Sequence, residues 1–434
     1  MKNQINYKLK ELPFYEALKG LCEYEFYFVG GFVRDVLLGK KAKDVDLVPF
    51  GIDYKDFAWL LKKKLQATSV PFKDNIRLIL KDFVIDVSKP RGKNIIEDLQ
   101  KRDFTINNLA TDIKGNIIGD TNELKNKVIK YVYEDVFNDD PVRILRAFRF
   151  VSQLEFDIEN ETFEKIFREK YLLKNAPFER VYDELIKLLK GKSNFKALKL
   201  MQHSEVLFTL FPEFKKIEGL PQGKYHQDCA LTHTFRVVEK TRLITDKLNK
   251  DDETKTILLL SALFHDVGKA VAGEKNNYKN FVGHEEESAK IAEKYLKKFP
   301  INKKNLKEVL HLIKNHTKIR IYASEKAKDN TLKKFIYNNA ELIEEIILFT
   351  LADNLSKGQN INDIYETIIR IRKLSKELDW NKKELINGNT LIELNIPDKT
   401  KYATILKDVH EKLVIGILKT KEEAIKYILD RYLK

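Results

Sequence analysis

Cysteine is nearly absent: Cys22 and Cys229 are the only two in 434 residues. Two distant thiols give no disulfide framework, which points away from the small stapled folds of secreted proteins. No apolar run approaches the length needed to cross a bilayer. Residues 1–20 are polar and helical in pattern, without the apolar centre of a secretion signal. Internal repeats and low-complexity linkers are missing too. A cytoplasmic protein with no membrane association and no obligate protein partner is expected.

Positive charge is what the chain has to spare. Lys and Arg number 79 against 65 Asp and Glu, giving a net charge of +14 and an isoelectric point near 9.2. Such a balance is a statement about partners, nucleic acid first among them. The length asks for two to four domains, and a 43% apolar content supports real cores.

Residues 28–50, FVGGFVRDVLLGKKAKDVDLVPF, organise the first part. The pattern predicts strand, glycine turn, helix, turn and strand. Gly30 and Gly31 let backbone approach a ligand closely, with Arg34 and Asp35 just behind and helix N–H groups offered to phosphate oxygens. Asp44 and Asp46 are two apart on the second strand, so both carboxylates leave one face of the sheet. Two such carboxylates repel unless a cation lies between them, and hard oxygen ligands beside a phosphate cradle suit Mg²⁺. Two magnesium ions can clamp the attacking and leaving oxygens of a phosphoryl displacement.

Asp86, in the β-branched run VIDV, is a third acidic ligand or the group that accepts a hydroxyl proton. Arg102 offers a charged fork to a triphosphate, and Asp103 and Asn107 fix a ribose or hold their own loop. Asp140 followed by Pro141 predicts a helix start, after which Arg143, Arg146 and Arg149 recur every third residue. Ile144, Leu145 and Phe148 should then pack inward while the arginines face a cleft.

Together these residues resemble the signatures of class II tRNA nucleotidyltransferases and bacterial poly(A) polymerases, within the polymerase-β-type superfamily. GGFVRDVLLG with DVD is one such signature. KRDFTINNLA resembles RRDFTxNA with Lys101 for the first Arg and Asn108 for the final Ala, and Asp139-Asp140 with Arg143 resembles EDxxR with Asp for Glu. The resemblance implies that Asp44, Asp46 and Asp86 are catalytic. It implies that Gly30, Gly31, Arg34, Asp35, Arg102, Asp103 and Asn107 bind nucleotide with Arg146 and Arg149, and that Asp140 and Arg143 select the base. Cytosine offers an amino donor to Asp140 and acceptors to Arg143. Uracil and guanine place a carbonyl where that amino group should be. The expected partners are a tRNA 3′ end and CTP, with ATP as an alternative. Only fifteen residues separate Asp86 from Arg102. Relatives that add all three nucleotides of the CCA end usually carry a flexible loop there, so the short interval favours the CC-adding subtype. Glu179 and Arg180 are read as bracing helices of the neck.

A second constellation follows. Six of the eight histidines fall within residues 224–357. An apolar run ends in His265-Asp266, with His226, Asp228 and His233 before it and His284, His311, His316 and Asp353 after. Neutral imidazoles with carboxylates suit Mg, Mn, Ni or Fe. The pattern resembles HD phosphohydrolases as His233, His265, Asp266 and Asp353, with His284 and His316 available to a second metal or to phosphate. The expected fold is α+β: a nucleotidyltransferase head over residues 1–138, then an elongated all-helical body. The body comprises a neck over 139–215, an HD domain over 216–375 and a tRNA-binding tail over 376–434. A rival reading makes the HD domain the working enzyme and the head an RNA-binding module.

Overall fold

The computed structural model describes the whole chain except residues 1, 41–43, 73, 223–227, 358–360, 381 and 434. The chain forms two compact units, Met1–Pro212 and Glu213–Lys434.

The first unit holds a mixed sheet. Its strands are β1 (Glu25–Val29), β2 (Asp44–Phe50), β3 (Thr68–Phe72), β4 (Asn75–Ile79), β5 (Val84–Ser88), β6 (Ala110–Thr111) and β7 (Ile117–Ile118). They lie in the order β3-β4-β5-β2-β1-β6-β7, so β2 is central, antiparallel to β1 and parallel to β5. The period-two pattern explains what β2 presents. Val45 and Leu47 are buried, while Asp44 is exposed and Asp46 half-buried on the opposite face. Register places Asp46 beside Asp86 on β5, and Asp86 beside Arg77 on β4.

Residues 1–20, helical in pattern, do not form one continuous helix. Proline at position 13 cannot continue a helix, and the segment breaks into α1 (Lys2–Lys10) and α2 (Tyr15–Lys19). Next come α3 (Gly31–Leu37), α4 (Tyr54–Leu65), which lays Phe57 and Leu61 on the sheet, and α5 (Ile95–Gln100). After α6 (Asn122–Asn126) the apolar run 128–132 yields only a two-residue strand, Val128–Ile129. It pairs in parallel with Asp157–Ile158, a two-residue strand inside the neck, where only helix is expected.

After α7 (Val136–Asp139), α8 runs over Val142–Leu154. Asp140 Oδ1 accepts the Val142 N–H at 3.2 Å, which supplies the expected start. Ile144, Leu145 and Phe148 are fully buried, as their spacing predicts.

The second unit is helical throughout its described residues. One run, Asp252–Lys275, is long and apolar enough to cross a membrane by composition, contrary to the reading that none approaches that length. Its apolar part is 89% buried inside the unit, where the run forms two helices, Asp252–Phe264 and Lys269–Lys275. Residues from Ile386 onward gather their own core of Leu391, Ile396, Ile405, Val409, Leu418 and Ile428.

Candidate active-site cleft and a buried histidine cluster

A cleft of about 800 Å³ in the first unit is lined by Gly30, Gly31, Arg34, Asp35, Asp44, Asp46, Arg102, Asp103, Asn107, Asp140, Arg143, Arg146 and Arg149. Residues from four sequence segments thus meet in one place. Gly30 has φ +65°, and a methyl there would sit 3.0 Å from Arg102 Nη1 and 3.9 Å from Asp46 Oδ2. Both the backbone angle and the space therefore demand glycine. Gly31 is less constrained, with only Arg34 Nη2 within 4 Å of the position its methyl would take.

A chain of polar contacts fixes the floor. Arg34 Nε donates to Asp35 at 2.8 Å, and its Nη1 to Asn107 Oδ1 at 2.7 Å. Asn107 Nδ2 donates to Asp103 Oδ1 at 3.1 Å, and Asp103 Oδ2 pairs with Arg146 Nε at 3.0 Å. Burial raises the Asp103 carboxyl, but Arg146 and the Asn107 bond outweigh it and hold it at about 2. Phe150 is a common platform, with Arg34, Arg146 and Arg149 over its ring at 5.2, 5.7 and 4.3 Å. Arg149 also pairs with Glu184 at 2.6 Å.

Burial pushes the Asp46 carboxyl up to about 6; Asp86 and Asp44 add to the rise while Arg102 and Arg146 oppose it. A carboxylate crowded by two others in a cleft is the chemistry that a divalent cation relieves, so Asp44 and Asp46 fit Mg²⁺. Asp86 lies in the same row but outside the cleft lining. Both its oxygens accept from Arg77, each at 2.8 Å.

The short interval before Arg102 is locked in place. Asp98, wholly buried on α5, accepts the Arg91 N–H at 2.8 Å and holds Arg102 through Nε and Nη2 at 3.0 and 2.8 Å. Lys101 Nζ and Arg91 Nη1 each donate to the other's backbone carbonyl. A methyl on Gly92 would lie 2.3 Å from Glu97 Cβ, so the segment closes tightly on itself.

Sequence reading missed Arg77, Asp98, Phe150 and Glu184 as partners of the cleft. It noticed Arg180 only as a helix brace. Arg180 does span from its helix, Phe178–Leu189, to the cleft, where Nη1 and Nη2 bind the two oxygens of Asp140 at 2.9 and 2.6 Å. A fork–carboxylate pair forty positions apart leaves no local pattern to find.

In the second unit, His233, His265, Asp266, His284, His316 and Asp353 are all buried and all converge. His233 Nε2 meets Asp353 Oδ1 at 2.9 Å, and His265 Nε2 lies 3.1 Å from Asp266 Oδ2. The other Asp266 oxygen faces His284 Nε2 at 3.3 Å and His316 Nε2 at 3.8 Å. His265, His284 and His316 each turn Nδ1 to a backbone carbonyl three residues earlier, which aims Nε2 inward. His265 Nε2 and Asp266 Oδ1 have no aligned hydrogen-bond partner despite full burial. Orphaned buried ligand atoms within such a cluster fit metal binding. Burial raises Asp266 and Asp353, but His265 with Lys269, and Lys357 with His233, hold them well below the ordinary carboxylate range. Beside the cluster opens a cleft of about 1230 Å³, with Lys269, Lys279, Lys314, Lys318, Arg320 and Lys357 on its walls. Asp228 stands apart, paired with Arg236. His311 bonds Asn339 at 2.6 Å. His226 lies outside the described residues.

Comparison with known proteins matches three stretches of the chain to family domains. Residues 26–92 match the poly A polymerase head domain, 155–218 the probable RNA and SrmB-binding site of polymerase A, and 230–358 the HD domain. The chain belongs to the family of tRNA nucleotidyltransferases and poly(A) polymerases that carry an HD domain. Along 92% of its length it is 27% identical to the CC-adding tRNA nucleotidyltransferase of Thermus thermophilus, also over 92% of that protein. It is 25% identical to the A-adding tRNA nucleotidyltransferase of Deinococcus radiodurans, over 92% of this chain and 94% of that one. The fold matches the Thermotoga maritima CCA-adding enzyme complexed with tRNA at a TM-score of 0.63, with 24% identity and 98% of each chain covered.

Proposed function

We propose that this family member adds CMP from CTP to the 3′ end of tRNA without a nucleic-acid template, and stops after two cytidines. The observation that carries the reading is the single cleft in which Asp44 and Asp46, the Gly30 turn, Arg102 and the Asp140–Arg143 pair meet. Asp44 and Asp46 would hold the magnesium, which would supply charge neutralisation at the α-phosphate and make the attacking hydroxyl more acidic. Arg102 Nη1 and Arg34 Nη2 flank the glycine turn and grip phosphate oxygens. Arg146 and Arg149, spread on Phe150, carry the rest of the triphosphate charge. Asp86 joins the catalytic carboxylates if Arg77 releases it. Asp140 and Arg143 read the base edge, so that the tRNA 3′ hydroxyl attacks the α-phosphate of the matched nucleotide and pyrophosphate leaves.

The CC-adding subtype is supported by the strap between Asp86 and Arg102. It is folded hard against Asp98 and offers no flexible segment to re-dress the base site. Complete CCA addition and poly(A) synthesis are the alternatives. The test supplies Mg²⁺, a tRNA trimmed of its CCA end, and one labelled nucleotide at a time. CMP incorporation with equimolar pyrophosphate supports the reading, and incorporation from ATP alone overturns it.

A second activity is favoured by the orphaned atoms of the histidine cluster. His233, His265, Asp266 and Asp353 hold one ion of Mg, Mn, Ni or Fe, and Asp266 with His284 and His316 a second. The basic walls of the neighbouring cleft suit a phosphate ester at an RNA end.

A further inference from the structure

Arg143 is held by a residue outside every motif considered so far. Its Nη1 uses both protons, one on the Tyr133 hydroxyl at 2.7 Å and one on the Val136 carbonyl at 3.2 Å. A guanidinium only donates, so the Tyr133 oxygen must accept there and send its own proton elsewhere. It goes to Asp139 Oδ2, 2.6 Å away. The direction of the relay, Arg143 to Tyr133 to Asp139, is therefore fixed.

The relay matters because of what Arg143 would do without it. Its Nε lies 3.9 Å from Asp140 Oδ2, an ion pair just beyond hydrogen-bond reach. Released from Tyr133, the guanidinium would close on Asp140 and the two would satisfy each other instead of a base. Arg180 performs the matching task on the other partner, taking both Asp140 oxygens while the base is away. The separation between the two groups, and with it the width of the edge they present, is set from both sides.

We propose that Tyr133 is a positioning residue for base selection. Its hydroxyl ties Arg143 to Asp139 and keeps the guanidinium off Asp140, leaving both groups to meet a base edge. The proposal rests on the reading of Asp140 and Arg143 as the base-selecting pair. Asp139 thereby gains a role as well, reaching Arg143 only through the hydroxyl.

The experiment compares kcat/KM for CTP and UTP in single-turnover extension of trimmed tRNA. Tyr133→Phe keeps the ring and deletes the relay. The CTP preference should fall about tenfold, the effect of one charge-assisted hydrogen bond, mainly through KM for CTP. Asp139→Asn, at an exposed position, should move the preference in the same direction by less and also serves should Tyr133→Phe fold poorly. The double variant should be no worse than Tyr133→Phe alone, because both remove one relay. If Arg143→Ala destroys the preference while both relay variants leave it intact, the proposal is wrong and the base-selecting pair survives. If Arg143→Ala itself leaves the preference intact, both are wrong.

Discussion

The two candidate metal sites handle buried carboxylate in opposite ways. In the cleft of the first unit, Asp46 is crowded by Asp44 and Asp86, and burial carries its carboxyl up to about 6. In the cluster of the second unit, Asp266 and Asp353 are more deeply buried yet held well below the ordinary range. Lysine makes much of the difference. Lys269 lies 2.7 Å from Asp266 and Lys357 2.6 Å from Asp353, whereas Asp46 feels the more distant fields of Arg102, Arg146 and Arg77. The cluster sets a lysine directly against each of these carboxylates, whereas among the described residues the arginines lining the cleft form no ion pair with Asp44 or Asp46. A cation therefore relieves the crowding of Asp44 and Asp46 in the cleft, while in the cluster it meets ligand atoms that the lysines leave without partners.

The comparison breaks most sharply by substitution. Asp46→Ala should lower CMP addition by roughly a thousandfold or more, since it removes a metal ligand at the reacting phosphate, and should spare phosphate-ester hydrolysis. His265→Ala should do the reverse. Parallel assays of the two activities check this, and loss of both in either variant would falsify the independence of the sites.

Asp98 comes next. Asp98→Ala removes the buried partner of Arg102 and of the Arg91 N–H at the cleft wall, which should cost about 1–3 kcal/mol of stability, read as a shifted denaturant midpoint. Arg102→Met in the same background should recover part of it, because the stranded charge is what costs.

Metal addition sharpens the contrast further. An ion that satisfies His265 Nε2 and Asp266 Oδ1 should stabilise the second unit by about 2.7 kcal/mol at a hundredfold excess over its Kd. A thermal scan with and without Mn²⁺ or Ni²⁺ reads this directly, and His265→Ala should abolish the shift.

Proton linkage gives the smallest effect and the clearest sign. The Asp46 pKa in the folded chain is raised, so that group favours folding below its ordinary pKa near 4 and loses the contribution as pH rises through about 6. The same protons compete with magnesium. Affinity of the cleft for Mg²⁺ should fall by about tenfold per pH unit below 6, and titration calorimetry at pH 5 and 7 would show it. Asp103 behaves in the opposite sense: held at about 2, it contributes stability above pH 4 that is lost as pH falls through 2.

Much of this was legible in the sequence because motif chemistry is local. Asp44 and Asp46 share a face through the two-residue period of one strand, and Gly30 announces its turn by the residues around it. The arginines of α8 recur at a spacing that places them together while Ile144, Leu145 and Phe148 sink inward. The partners are what stayed hidden. Arg77 reaches Asp86 through strand register, Arg180 reaches Asp140 from forty positions away, and Tyr133 reaches Arg143 and Asp139 across the break between α7 and α8. Register and helix packing decide such contacts, and neither is written in the spacing of a single segment. The broken leading helix is a plainer case, where an amphipathic pattern was followed past a proline.

The most direct test of the central claim is the length of the product. A tRNA trimmed of its CCA end is incubated with Mg²⁺, CTP and ATP together, and the RNA is resolved at single-nucleotide length. Growth by two residues and no further, with ATP present throughout, is the result expected of a base site held rigid by the strap between Asp86 and Arg102. Growth by three would contradict the CC-adding assignment, and a long adenosine ladder would make the chain a poly(A) polymerase.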